Sequence, residues 1–226
     1  MTHGEEGGRD GSIPWYWPAW AADAPLPRFS VWDTESSHGR YASRTKTIEF
    51  TDLVKFHGHA CDGLFRGGIA LAQALPRLYP DGRIDRTATR VLSKNSPCLG
   101  DVAAYLTGGR VRFGSQDVRD DPGVWFIVQR LDNGRTVSVR EAAGFYPAEL
   151  TALESRLVSE GVAAPETLDR LQQAQWAWVR DVLLPSDWAA VYPCTEETAF
   201  TWTEVPYGHL GIRTDVLFKG VPRSAP

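Results

Sequence analysis

Two imidazoles and a thiol stand within five residues in Phe56-His57-Gly58-His59-Ala60-Cys61-Asp62-Gly63, using two of the chain's five histidines and one of its three cysteines. Composition alone produces a His-x-His-x-Cys match with odds of about one in a thousand. Imidazole and thiolate are the ligands that borderline-soft cations such as zinc prefer, and both are also proton-transfer or nucleophilic groups near neutral pH. If the segment is extended, residues 57, 59 and 61 point to one side. If Cys61 already opens a helix, the positive end of the helix dipole favours its thiolate.

Cys98 offers a second thiol. Ser96-Pro97 supplies an N-cap and a first-turn proline, which puts Cys98 in the first turn of a helix ending before Gly108-Gly109. Asp101 and Tyr105 follow at i+3 and i+7 and share its face, while Leu99, Val102 and Leu106 form the opposite, core-facing stripe. Two helix starts that each deliver a thiol can meet at one point. A free cysteine is more often a small buried hydrophobe, and that reading weighs against Cys98 taken alone. Cys194 has no companion ligand nearby and reads as structural. His209, beside Tyr207 in the last turn, is a candidate to swing into the site, with an exposed loop histidine as the plainer reading. Arg110, Arg112 and Arg119 read as a solvated strand edge rather than an anion clamp. There is no Cys-x-x-Cys pair, phosphate loop or Gly-x-Ser-x-Gly elbow.

These residues need elements to hold them. Leu64, Gly68, Leu71, Leu75 and Leu78 predict a helix over Leu64–Leu78, stopped by Pro80-Asp81-Gly82, with Thr87–Ser93 as a strand. Gly63, Gly67 and Gly68 at the helix start imply that another backbone or a ligand comes close. Val124–Leu131 and Thr136–Val139 flank Asp132-Asn133-Gly134, a hairpin signal. Helices over 147–160 and 165–184 follow, the second with Leu168, Leu171, Trp178 and Val182 as its apolar stripe. Ala199–Val205 and Ile212–Lys219 alternate and predict a final hairpin. The expected fold class is α+β: a mostly antiparallel sheet with helices packed on it. Residues 1–47 divide into a disordered tip and a proline- and tryptophan-rich arm that packs irregularly on the body or a neighbour, and 48–226 form one domain.

With 226 residues, 42% of them hydrophobic, the chain buries about 70% of its extended surface and needs no metal merely to fold. A net charge of −4 gives no reason to expect nucleic acid or an anionic membrane as partner. The acid- and glycine-rich tip is no signal peptide, and the run Val124–Val128 is far too short to span a bilayer. Three cysteines, an odd number, fit a reducing cytoplasm.

Phe56-His57-Gly58-His59-x-Cys61-x-Gly63-Leu64, followed by Gly67, resembles the Phe-His-Gly-His-x-Cys-Pro-Gly-Leu-x-x-Gly signature of the FmdE family, named for a component of formylmethanofuran dehydrogenase. Cys98-Leu99-Gly100-Asp101-Val102-Ala103 is similar to that family's Cys-x-x-Asp-Ala segment, and Leu106-Thr107-Gly108 to its Thr-Gly. The resemblance covers about 48–140 and implies an α+β core, often dimeric, whose cleft holds a metal, commonly zinc. Carried over by position, His57, His59, Cys61, Cys98 and Asp101 are its site residues. Asp62 stands where proline is usual, Gly109 replaces a frequent cysteine, and the appended Cys₄ zinc finger is missing, which argues against service to a molybdenum formylmethanofuran dehydrogenase.

The leading expectation is a metal-dependent enzyme acting on a small molecule. His57, His59, Cys61 and Cys98 are the candidate ligands, zinc is the first choice of metal, and iron or haem are the alternatives. Asp101, Tyr105 and His209 are candidate catalytic groups. A homodimer is expected. The competing readings are a non-catalytic metal- or cofactor-binding accessory protein and a metal-free cysteine-nucleophile enzyme.

Overall fold

The structure, a computed structural model, describes residues 13–36, 38–161, 164–202 and 216–222. In chain order its elements are a 3₁₀ turn (Ala19–Ala21), β1 (Phe29–Trp32), β2 (Lys46–Ile48), α1 (Phe50–His57), α2 (Asp62–Leu78), β3 (Arg83–Asp85) and β4 (Thr89–Lys94). There follow α3 (Pro97–Thr107), a 3₁₀ turn (Val111–Phe113), β5 (Gln116–Arg119), β6 (Phe126–Arg130) and β7 (Thr136–Val139). The last elements are α4 (Ala148–Glu160), α5 (Pro165–Trp178), a π turn (Val179–Leu183), α6 (Trp188–Val191) and β8 (Cys194–Glu196). The fold class is α+β. No helix of the described residues is long and apolar enough to cross a membrane.

The main sheet has the order β5-β4-β6-β7-β8; β5 runs parallel to β4 and the other three pairings are antiparallel. The β6–β7 hairpin turns at Gly134, whose φ of 73° needs a residue without a Cβ clash. Helices α2 and α3 lie against this sheet, α2 on β6 and β7 and α3 on β4 and β5, with α1 bridging their outer side. Leu64, Ile69, Leu71, Leu75 and Leu78 of α2, with Val102 and Leu106 of α3, are fully or almost fully buried there. The periodicity of the sequence therefore marks the real core.

A second, small sheet, β2-β1-β3, comes largely from the stretch read as an irregular arm. Strands of three and four residues are too short to show a period, so only pairing reveals them. The aromatic part of the arm packs on its own body: Trp17 and Trp20 sit 6.0 Å and 5.4 Å from Phe65, which stacks on Phe50 at 5.7 Å and 13°.

Two expectations need correction. The final hairpin does not form where it is described: Ala199–Trp202 and Leu217–Lys219 are not strands, and 203–215, with His209, lie outside the described residues. The alternation of Phe200 and Trp202 instead places both rings on arginines of the sheet, Arg119 at 5.7 Å and Arg90 at 4.4 Å. The edge position is taken by β8. In the helix read as 165–184, the π turn shifts the apolar stripe, leaving Val182 43% exposed while Trp178, Val179 and Leu183 are buried.

Phe65 joins the arm, α1 and α2 in one aromatic stack. Phe65→Ala is expected to cost about 3–5 kcal/mol, read as a lower denaturation midpoint at unchanged slope. A cost below about 1 kcal/mol would show that the arm does not depend on that stack.

Candidate metal centre

Three chain ends meet at one place. Helix α1 stops at His57 because Gly58 takes a left-handed φ of 100°, and its N–H closes the last turn onto the Val54 carbonyl at 2.8 Å. Residues 58–61 then reverse the chain, and Cys61 is the N-cap of α2. Cys98 is the second residue of α3, after Ser96 as N-cap and Pro97 at the first position. Both thiols thus sit at the positive ends of helices, where a thiolate is stabilised.

The side chains converge. Cys61 Sγ lies 3.3 Å from Cys98 Sγ and 3.5 Å from His57 Nε2. The His59 ring centroid is 4.5 Å from that of His57, and the ligand atoms of His57, His59 and Cys61 all fall within 4.8 Å of one another. His59 is on the exposed side, whereas the His57 side chain is only 4% exposed.

Asp101, one turn beyond Cys98, accepts from His57 Nδ1–H at 2.8 Å. That bond fixes the tautomer and turns the Nε2 lone pair toward the thiols, as outer carboxylates do for metal-binding imidazoles. The sulfur–sulfur hydrogen bond to Cys61, with the nearby His57, outweighs burial and lowers the Cys98 thiol. The same bond and burial push Cys61 up. Burial and then the neighbouring His57 hold His59 below the usual imidazole value.

The structure brings together His57, His59, Cys61, Cys98 and Asp101. Tyr105 is two turns further along α3, where its ring packs 5.2 Å from that of Phe56, the residue before His57, and 5.8 Å from the Arg86 guanidinium. Cys194 lies on β8, three strand spacings or about 14 Å across the sheet from β4. Its S–H donates to the Tyr192 carbonyl at 3.6 Å. Arg110 and Arg112 are exposed at the turn before β5, and Arg119 pairs with Asp117 at 2.9 Å.

Two supports of the site had no signal in the sequence. The Trp176 indole N–H donates to the Ala60 carbonyl at 2.7 Å, between the second histidine and the first cysteine. Arg66 bridges Asp62, at 3.1 Å, and Glu141, at 2.9 Å, under the rings of Trp125, Tyr146 and Trp178. Only the i,i+4 spacing of Asp62 and Arg66 was open to sequence reading.

Fold and site define an α+β protein in which two helix starts and a helix end gather a His/Cys group able to bind a metal. The chain belongs to the FmdE family: the family model described as FmdE, molybdenum formylmethanofuran dehydrogenase operon, matches residues 56–187. That match runs beyond the motif resemblance, which stops near 140, and takes in α4 and α5. A solved structure of a tungsten formylmethanofuran dehydrogenase FmdE-like protein from Syntrophus aciditrophicus aligns with 75% of this chain and 77% of its own, at 17% identity and a TM-score of 0.38. None of the curated proteins matches.

Gly63 allows the two helix starts to approach. A Cβ there would stand 2.9 Å from Cys98 Sγ and 3.1 Å from Cys98 Cβ. Gly63→Ala is expected to separate the thiols and weaken any divalent ion bound there about 10- to 100-fold while the helical circular dichroism is kept. Unchanged affinity would mean that the close approach is irrelevant to metal binding.

Proposed function

We propose that this chain is a metal-dependent enzyme acting on a small molecule, with His57, Cys61 and Cys98 holding a divalent ion and His59 at its solvent side. The observation that carries the reading is the spacing of the donors. A tetrahedral site has an edge of about 3.5 Å between a nitrogen and a sulfur ligand and about 3.8 Å between two sulfurs; Cys61–His57 lies at 3.5 Å, and Cys61–Cys98, at 3.3 Å, needs to open by only about half an ångström. The donor set, one imidazole and two thiols, suits zinc before other metals. Iron remains the alternative. These donors stand too close together for a porphyrin to lie between two of them, so haem would have to be held by one donor alone.

A bound metal would supply Lewis acidity and a lowered pKa for coordinated water. The chain's own residues do the rest. Asp101 holds His57 by Nδ1–H, so it acts through that imidazole and is read as a positioning residue rather than a proton carrier. His59, exposed beside the cluster, faces whatever small molecule arrives from solvent. All three cysteines are free thiols, which suits a cytoplasmic setting. A homodimer, expected from the family resemblance, belongs to the same reading and is checked by the solution mass.

A second reading has its own support. His59 is near enough to His57 and Cys61 to serve as a fourth ligand, and a closed four-ligand site is the form expected of a non-catalytic accessory protein. Elemental analysis and a visible spectrum of the purified protein, then of variants, separate the cases. The enzyme reading expects about one zinc per chain, lost in Cys61→Ser and Cys98→Ser and retained in His59→Ala. Saturating zinc at about 100 times its Kd should add about 2.7 kcal/mol of stability, removed by a chelator. Loss of all metal in His59→Ala would indicate the closed site. A wild-type protein that takes up no metal would leave the metal-free thiol enzyme standing.

A further inference from the structure

Helix α5 is remote in sequence from the ligands, yet it touches the loop that carries them. The Ala60 carbonyl, in a residue only 3% exposed, accepts the Trp176 indole N–H at 2.7 Å across a separation of 116 residues. Its neighbours in sequence are His59 and Cys61. Immediately beyond Cys61, the Asp62 carboxylate is held by Arg66 at 3.1 Å, and Arg66 in turn lies under Trp178, two residues after Trp176. The peptide before the first thiol and the carboxylate after it are therefore both fixed by structure at the C-terminal turn of α5. Helix α5 is itself tied to α4 through Gln175 and Glu154 at 2.8 Å.

A loop of four residues between two helices has few bonds of its own. Gly58 N–H is used in closing α1, and the Cys61 carbonyl accepts from Phe65 at 3.4 Å in opening α2. Between these lies the Ala60 peptide, whose rotation would swing His59 and Cys61 relative to His57. A hydrogen bond of good length to its carbonyl opposes that rotation. Losing the donor would also leave a buried acceptor unpaired, which favours a different loop conformation.

On the metal reading above, we infer that Trp176 is a positioning residue for the metal centre: its indole N–H holds the Ala60 peptide so that His59 and Cys61 face His57 and Cys98. The role belongs to the N–H and not to the ring's bulk, so Trp176→Phe is the informative change. In zinc competition titrations against a chromophoric chelator, Trp176→Phe is expected to bind about 10- to 100-fold more weakly than wild type. Its Co(II) derivative is expected to show displaced d–d and sulfur-to-cobalt bands. Gln175→Met, which removes the adjacent bond to Glu154, should lower Tm without moving either readout.

Trp176→Phe with wild-type zinc affinity and an unchanged cobalt spectrum would overturn the inference, whatever its Tm. If that variant does not fold, indole ¹⁵N–¹H spectra of the wild-type protein, with nine tryptophans, take over the test. The Trp176 indole signal, assigned through its backbone resonances, should shift on zinc saturation, and no shift of that signal would overturn the role. A wild type that binds neither zinc nor cobalt removes the metal centre and this role together. A wild type that binds both while Trp176→Phe matches it removes the role alone.

Discussion

The site depends on two sulfurs brought to 3.3 Å at the starts of two helices. Each helix start carries roughly half a positive charge, so aiming α2 and α3 at one point is electrostatically unfavourable unless negative charge sits there. Thiolate character at Cys98, favoured by the hydrogen bond from Cys61, supplies it. The glycine at 63 makes the approach sterically possible, since any Cβ would meet the Cys98 sulfur. The His57–Asp101 pair then adds an imidazole already oriented by a carboxylate on the same helix as Cys98. Sulfur, imidazole and carboxylate are thereby set by just three short segments, and the rest of the fold holds those segments in place.

The means of holding them is a second constraint, the buried Arg66. It sits between Asp62 and Glu141 with aromatic rings on its faces, and Tyr192 donates its hydroxyl to the same Glu141 at 3.2 Å. Burying these charges brings little net stability, because desolvation offsets most of the attraction. Its consequence is specificity of placement: Asp62 and Arg66 travel together on α2, and any shift of that helix along its axis would break the Arg66–Glu141 pair, at about 3–5 kcal/mol. Cys61, immediately before Asp62, inherits that precision. This explains why a network whose carboxylates are engaged by Arg66 lies against the His/Cys site.

Much of this was legible in the sequence, for local reasons. The His57–Cys61 spacing, the Ser96-Pro97 helix start and the turn at Asp132-Asn133-Gly134 are each encoded within a few residues. The convergence of Cys61 with Cys98 was inferable because both open helices of opposite apolar stripes. What escaped reading is non-local or too short. Strands β1 and β2 carry no period, and pairing with β3 alone defines them. Tyr105 shares a helical face with Cys98, and its packing on the Phe56 ring is a contact that helical spacing alone does not give. Asp101 was legible as a member of the site and not as a partner of His57, because that bond joins residues 44 apart.

The π turn after α5 shows how a local irregularity reaches the site. In an unbroken α-helix the stripe through Leu171 and Trp178 continues to Val182, the pattern the sequence suggests. One extra residue in the turn, closed by Leu184 N–H onto the Val179 carbonyl at 2.9 Å, rotates the chain so that Val179 and Leu183 enter the core and Val182 faces solvent. The rotation lets Leu183 anchor the helix from below while its last regular turn keeps Trp178 over Arg66 and Trp176 on the Ala60 carbonyl. The irregular turn thus joins a helix whose last regular turn contacts the ligand loop to a segment that buries Leu183 in the core.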